Sequence, residues 1–527
     1  MRTDLQRLKR DTDSRNSVPL PESTPASRKR RLQWVIVGVV GVIVAIVTAL
    51  YLWQSRHPPV SPVGSASPRA IAVLPFQNAG SDKDTDFLRL ALPDEIATML
   101  SYVPSFSIRP FATTSKYNGT NVDLQQAGKE MGVTSIVTGH YLTEANQLEV
   151  TLEAVDVANN RSVWRDTISV AASDKIAMRE QITSRVRQGL VPVLGGLSAF
   201  GEVGTRPKSE EAYDLYLRSI AVPRDVAPTK DAIAMLERAV GIDPSYAPAW
   251  EALGLRYYFD GSYGNGGEPA FERSDSATER ALALDLDLIS ARSQLITNRA
   301  ERGEVRSAYA EASALVKRRP NSAGAHFALG YVLRYAGLLD ESAHECDTAL
   351  ALDRGNYQFR SCSWAFIQLG KPQRAMEFVR LDADSEWAAR TTAFILIGQG
   401  KLGEARQTIQ RMPDAPLMGR DLLQACLDPQ RTSQVERAAR KMETASFAKL
   451  DAEPRYEFGA LLSYCGQKDA ALRLLRSAVE QNYCAYTALQ TDPLLVKFRR
   501  TPEFSELLSA AKECQNAVLA QRDQSPH

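Results

Sequence analysis

The stretch HFALGYVLRYAGLLDESAHECDTALALDR, residues 326–354, decides the fold. Within it Gly337 stands five residues before a small residue, Ser342, and the same pair returns through the carboxy-terminal half of the chain. Small positions fall at Ala308, Ser342, Ala375, Ala405, Ala438 and Ala471, and glycines precede most of them at Gly303, Gly337, Gly370, Gly400 and Gly466. A spacing of roughly 30 to 34 residues is that of a helix hairpin repeated along a solenoid. The glycine ends or turns the first helix, and the small residue sits where two helices approach closely. Such arrays are quasi-one-dimensional and present a long groove.

The residues between these markers resemble the tetratricopeptide repeat. Trp250, Leu253, Gly254 and Tyr257 match its first helix, and Leu236, Ala239 and Pro244 match the second-helix end of the preceding copy. A further copy runs through His326, Leu329, Gly330, Gly337, Ser342 and Ala349, with Arg354 where the closing proline is expected; the copy around Ala308 does end in Pro320. Gly261 to Pro269 reads as an insertion that lengthens one turn, and Pro429 interrupts the first helix before Ala438. The resemblance covers residues 209–479, about eight units. Residues 480–527 read as a capping segment and tail.

The second decisive stretch is WVIVGVVGVIVAIVTALYLW, residues 34–53. It carries no charge, and about 20 residues at 1.5 Å each cross the roughly 30 Å hydrocarbon core of a bilayer. Arg28, Lys29, Arg30 and Arg31 precede it, against only Arg56 and Arg69 soon after. The positive-inside rule then predicts a cytoplasmic amino terminus and periplasmic or extracellular carboxy-terminal domains, on a single-pass protein of the cytoplasmic membrane. Residues 1–33 lack apolar periodicity and read as a disordered tail, and residues 54–68 read as an extended linker.

Residues 69–195 carry a different pattern. Ala70–Phe76, Ser105–Arg109, Ser135–Leu142, Gln147–Val157 and Ser162–Val170 read as strands, while Phe87–Tyr102, Leu124–Met131 and Asp174–Leu194 read as helices. The order βαβαβββα describes one small α/β domain. The strings IAVLPF, SIRPFATTSKY, AGKEMGV and SIVTGHYL resemble the amino-terminal-like TolB domain that precedes tetratricopeptide repeats in bacterial CadC-type regulators. This chain departs from that pattern at Thr138-Gly139-His140. CadC-type regulators also begin with a winged-helix DNA-binding domain, which 33 residues do not hold, so direct transcription control is not expected.

The expected fold class is thus an α-solenoid of tetratricopeptide helix hairpins preceded by a small α/β domain and a single transmembrane helix. A net charge of +1 supplies no general attraction for nucleic acid. Asp82, Asp84 and Asp86 alternate as in a calcium loop but lack its glycine and distant glutamate. The five histidines are scattered, so no metal, cofactor or catalytic residue is expected, and the chain does not read as an enzyme. All six cysteines lie in the repeats and cap; an oxidising compartment would permit Cys346–Cys362 and Cys484–Cys514 bridges, with six free thiols as the alternative.

In tetratricopeptide arrays the first helices line the concave face. Helical spacing then gathers Phe327, Tyr331 and Arg334 on one helix, Tyr357, Arg360 and Trp364 on the next, and Trp387, Arg390 and Phe394 on a third. Aromatics and arginine dominate interface hot spots, so these nine residues are the expected peptide-binding site. The expected function is a membrane-anchored scaffold binding peptide segments of partner proteins. The alternative is a sensing subunit whose α/β domain binds a small molecule or envelope component and signals to a separate cytoplasmic effector.

Overall fold

The computed structural model describes residues 69–119, 121–196, 205–223, 226–383, 385–412, 418–428, 432–447 and 451–524. The expected tail, membrane span and linker, residues 1–68, lie outside the described residues. Among the described residues no helix is long and apolar enough to cross a membrane.

The α/β domain is built on six strands: β1 (Arg69–Val73), β2 (Gln77–Asn78), β3 (Phe106–Arg109), β4 (Ser135–Glu144), β5 (Gln147–Asp156) and β6 (Arg161–Ala171). The sheet order is β3-β1-β4-β5-β6, with β2 also pairing β4. The β3-β1-β4 half is parallel and the β4-β5-β6 half antiparallel. Strand β1 lies between β3 and β4, and both its faces are covered: Ile71 and Val73 join one apolar cluster, Ala72 and the following Leu74 the other. The β4–β5 hairpin turns through Ala145 and Asn146 with φ of 47° and 62°, the left-handed pair a two-residue turn requires. Where one long helix is expected over Asp174–Leu194, Lys175–Arg185 is α-helical and Val186–Leu190 widens into a π turn. A Cβ on Gly189 would lie 2.6 Å from Trp164 Nε1, so the missing side chain lets the indole of β6 approach that turn.

Eight helix pairs follow among the described residues. They are Glu210–Ala221 with Val226–Ile242, Ala247–Tyr263 with Gly267–Leu284, Ile289–Glu301 with Val305–Arg318, and Ala323–Tyr335 with Leu339–Leu352. The fifth combines a 3-10 turn, Tyr357–Cys362, and Ser363–Gln368 with Pro372–Val379. The last three are Glu386–Gly398 with Leu402–Gln410, Arg420–Cys426 with Thr432–Phe447, and Glu453–Tyr464 with Lys468–Glu480. The chain is therefore a helical solenoid of tetratricopeptide-like repeats preceded by a small α/β domain.

The repeat markers act as their chemistry requires. Gly303, Gly337, Gly370, Gly400 and Gly466 all have φ between 67° and 80°, the left-handed conformation that closes a helix. Ala308, Ser342, Ala375, Ala405 and Ala471 are fully buried between helices. In the seventh pair the buried small residue is Ala439, one position beyond the expected Ala438, which is only half-buried. The insertion at Gly261–Pro269 does not make a long turn. Both flanking helices extend into it, to 17 and 18 residues, because each further helical residue adds a backbone hydrogen bond.

The array returns on itself. After Tyr486–Thr491, helix Pro502–Gln524 packs against Lys468–Glu480 and reaches back to Val305–Arg318. There Cys484 N donates to Tyr335 O at 2.7 Å and Gln515 Nε2 donates to Gly337 O at 2.8 Å. All six cysteines are paired: Cys346–Cys362, Cys426–Cys465 and Cys484–Cys514, with Cα separations of 6.0, 5.2 and 5.2 Å. The Cys426–Cys465 bridge joins the ends of two successive first helices, a pairing that residue spacing did not suggest. The α/β domain docks on the solenoid through the buried ion pair Arg109–Asp353 at 3.6 Å, while Arg179 pairs with Glu95 at 2.5 Å inside the domain. Thr113 Oγ1 also donates to Asp353 at 3.0 Å.

Candidate binding groove

The first helices of pairs four, five and six do place their aromatic and arginine residues together. Tyr331 stacks on Tyr335 at 5.1 Å, Phe327 lies tilted against Phe359 at 5.1 Å, and Trp364 meets Phe394 edge-on at 5.3 Å. Arg334 lies over the Tyr331 ring at 4.4 Å, and Arg390 lies near Trp364 at 5.6 Å.

The centre of this surface is occupied by the chain itself. Helix Glu453–Tyr464 lies against it, and ten of its twelve residues are buried, which marks it as a core helix. Arg334 Nε and Nη2 donate to the Glu453 carboxylate at 2.6 and 3.0 Å, while Arg334 Nη1 donates to Ser361 O at 3.1 Å. Arg390 is paired with Glu457 through Nη2 alone, and its buried Nε has no hydrogen-bond partner among the described residues. Phe394 packs against Phe458. Arg334, Tyr331, Trp364, Arg390 and Phe394 are consequently buried, and no solvent-open groove passes over them. Burial of the rings of Tyr331, Trp364 and Phe394 favours the arrangement, and the cost of taking Arg334 and Arg390 out of water is offset by their carboxylate partners.

The other expected site residues lie elsewhere. Arg360 turns to Asp382 of its own hairpin at 3.0 Å and its side chain is 24% exposed, and Tyr357, Phe327 and Trp387 are likewise only partly buried. These four sit near the amino-terminal ends of three successive first helices, so they share one edge of the array rather than the buried centre.

Sequence reasoning did not identify the acidic side of the cluster. Glu301 accepts from Tyr331 OH at 2.7 Å and from Tyr258 OH at 2.9 Å, and Asp451 accepts from Tyr335 OH at 2.7 Å. Glu453 and Glu457 are paired with the two guanidinium groups, and Glu301 and Asp451 are held by tyrosine hydroxyls. Burial, with the neighbouring charge of Asp451, pushes Glu301 up to about 8. Burial likewise pushes Glu457 up to about 8 against the pull of Arg390, and Asp451 up to about 7 with Glu453 beside it. The one local signal was the run Glu453-Pro454-Arg455-Tyr456-Glu457-Phe458, where charges alternate with aromatics on a single helix. Among the described residues no group of histidines, cysteines and carboxylates is arranged to hold a metal ion.

Fold and cluster together define a helical-repeat protein with an α/β domain fixed at its start. The description "HilA/YgeH-like transcriptional regulator, second domain" matches residues 67–185, the α/β domain. A Rhizobium meliloti (strain 1021) protein named "Putative adenylate cyclase 3" is 26% identical over 190 residues, 35% of this chain and 32% of that protein. The match thus spans about a third of that relative's length. Among solved structures, yeast Tom70 is 14% identical with a TM-score of 0.31, covering 62% of this chain and 67% of that one. A tetratricopeptide repeat protein from Parabacteroides merdae ATCC 43184 is 13% identical with a TM-score of 0.30, covering 50% of this chain and 98% of that one. The repeat assignment rests on the hairpins themselves and not on these low scores.

Proposed function

We propose that the chain is a non-enzymatic interaction protein, anchored by residues 34–53 in the cytoplasmic membrane, whose solenoid binds partner proteins in the periplasm or cell exterior. One observation carries this reading: all six cysteines form disulfides, a pattern of oxidising compartments and not of the cytosol. It agrees with the orientation that the basic residues before the span imply. The partner segment is assigned to the accessible edge formed by Phe327, Tyr357, Arg360 and Trp387, with Tyr331, Arg334, Trp364, Arg390 and Phe394 acting beneath it as support. Partly buried aromatics beside an arginine are the composition of interface hot spots.

The resemblance of the α/β domain to the amino-terminal-like TolB domain of CadC-type regulators favours a second reading, a sensing subunit. Its specific support is the buried Arg109–Asp353 contact, which ties that domain to the fourth hairpin and offers a rigid path for a signal.

A photo-crosslinking side chain placed at Trp387 or Phe327 of the full chain, in cells, tests the scaffold. Discrete adducts from these positions, absent when the probe stands at exposed Glu404, are the expected result. Equal, diffuse labelling from all three positions would remove the edge as a binding site.

A further inference from the structure

The second helices of pairs five and six are short. Pro372–Val379 and Leu402–Gln410 have 8 and 9 residues, against 14 in each of Val305–Arg318 and Leu339–Leu352. At 1.5 Å per residue, the five residues fewer in Leu402–Gln410 remove roughly 8 Å of side-chain-bearing surface, and Pro372–Val379 continues only as the 3-10 turn Arg380–Asp382. The space left beside Glu386–Gly398 is a cavity of about 500 Å³. It falls within the range of about 300 to 1,000 Å³ typical of small-molecule sites.

The lining is two-sided in chemistry. Met376, Val379 and Ala388 supply apolar surface, and Thr392 adds a hydroxyl. Arg380 and Arg411 complete it. Both arginines are exposed, and neither guanidinium is ion-paired among the described residues; the nearby Asp382 is already held by Arg360. Ala388 and Thr392 lie on the face of their helix opposite Trp387, Arg390 and Phe394, so this cavity is separate from the aromatic cluster.

Two unpaired guanidinium groups exclude a cation and leave a neutral hydrocarbon without a partner for the charge. Arginine forks match carboxylate and phosphate oxygens in number and plane. The geometry points to a binding site for a small organic anion, its apolar body on Met376, Val379 and Ala388 and its carboxylate or phosphate head held by Arg380 and Arg411. A ligand there bridges the fifth and sixth hairpins.

Calorimetric titration of the full chain with phenylacetate and phenyl phosphate tests this, with inorganic phosphate and benzyl alcohol as head-only and body-only controls. Saturable binding of at least one aryl anion, stronger than either control, is expected; the preferred head separates carboxylate from phosphate. Arg380→Gln and Arg411→Gln should each weaken that binding roughly tenfold, the worth of one charge-assisted pair. Both side chains are exposed and unpaired, so the melting temperature without ligand should stay as it was. Absence of saturable binding by both aryl anions, a control binding as tightly, or binding that survives both substitutions would overturn the assignment.

Discussion

Arg334 and Glu453, 119 residues apart, form a two-pronged ion pair in the centre of the solenoid, and the arginine side chain is 0% exposed. The pair joins the fourth and eighth hairpins across the inner face of the array. Removing one member leaves the other charged and buried, which costs roughly 3–5 kcal/mol, whereas replacing both by apolar residues of like volume is near neutral. Arg334→Ala should therefore lower the urea midpoint sharply, and Arg334→Met combined with Glu453→Leu should recover most of the loss. An unchanged midpoint in Arg334→Ala would mean that the pair is open to water.

Stability should fall as pH rises through the neutral range. Glu301 and Glu457 at about 8 and Asp451 at about 7 are raised above the ordinary carboxylate value near 4, so the folded state holds protons that the unfolded chain releases. Their contribution is fully present below about pH 4 and is lost as pH climbs through 7 to 8. Thermal melts at pH 5.5, 7 and 8.5 should show a declining midpoint, with a shallower decline in Glu301→Gln. A midpoint that rises to pH 8.5 would contradict the burial of these groups.

The three bridges predict that denatured, unreduced protein contains no free thiol. Closing a loop of about 30 residues, as Cys484–Cys514 does, stabilises by roughly 3–4 kcal/mol on the chain-entropy account. Cys484→Ser with Cys514→Ser should melt correspondingly earlier. Six titratable thiols would dismiss the bridges and, with them, the main support for an oxidising compartment.

Gly337 and Gly400 separate backbone strain from collision. Their φ angles are 73° and 74°, but a Cβ on Gly337 would lie 1.7 Å from Cys484 O, while on Gly400 it meets nothing within 4 Å. Gly400→Ala should cost about 1–2 kcal/mol, the left-handed penalty alone. Gly337→Ala should cost well beyond that and detach the carboxy-terminal cap, visible as faster proteolysis after residue 480. Equal effects of the two substitutions would show that the cap does not seat on Gly337.

Membrane orientation is tested by reporter fusions. Alkaline phosphatase after His527 should be active, and the same enzyme after Gln33 inactive. The reverse pattern would put the repeats in the cytoplasm.

Much of the architecture was written locally. Gly303, Gly337, Gly370, Gly400 and Gly466 mark helix ends because only glycine takes a left-handed turn without strain, and that requirement needs no knowledge of the rest of the chain. Alternation in β4, β5 and β6, and the Ala145-Asn146 turn, are equally local. The sequence also grouped Arg334, Trp364, Arg390 and Phe394 on one face through helical spacing. What lies opposite that face was set by the superhelical path, the accumulated result of small rotations between successive hairpins. That path carried Glu453 and Glu457 onto the two arginines and left only Phe327, Tyr357, Arg360 and Trp387 toward solvent. Residue spacing determines which side chains share a helix face; whether water, another protein or the chain's own eighth hairpin covers that face is decided by contacts 67 and 119 residues away.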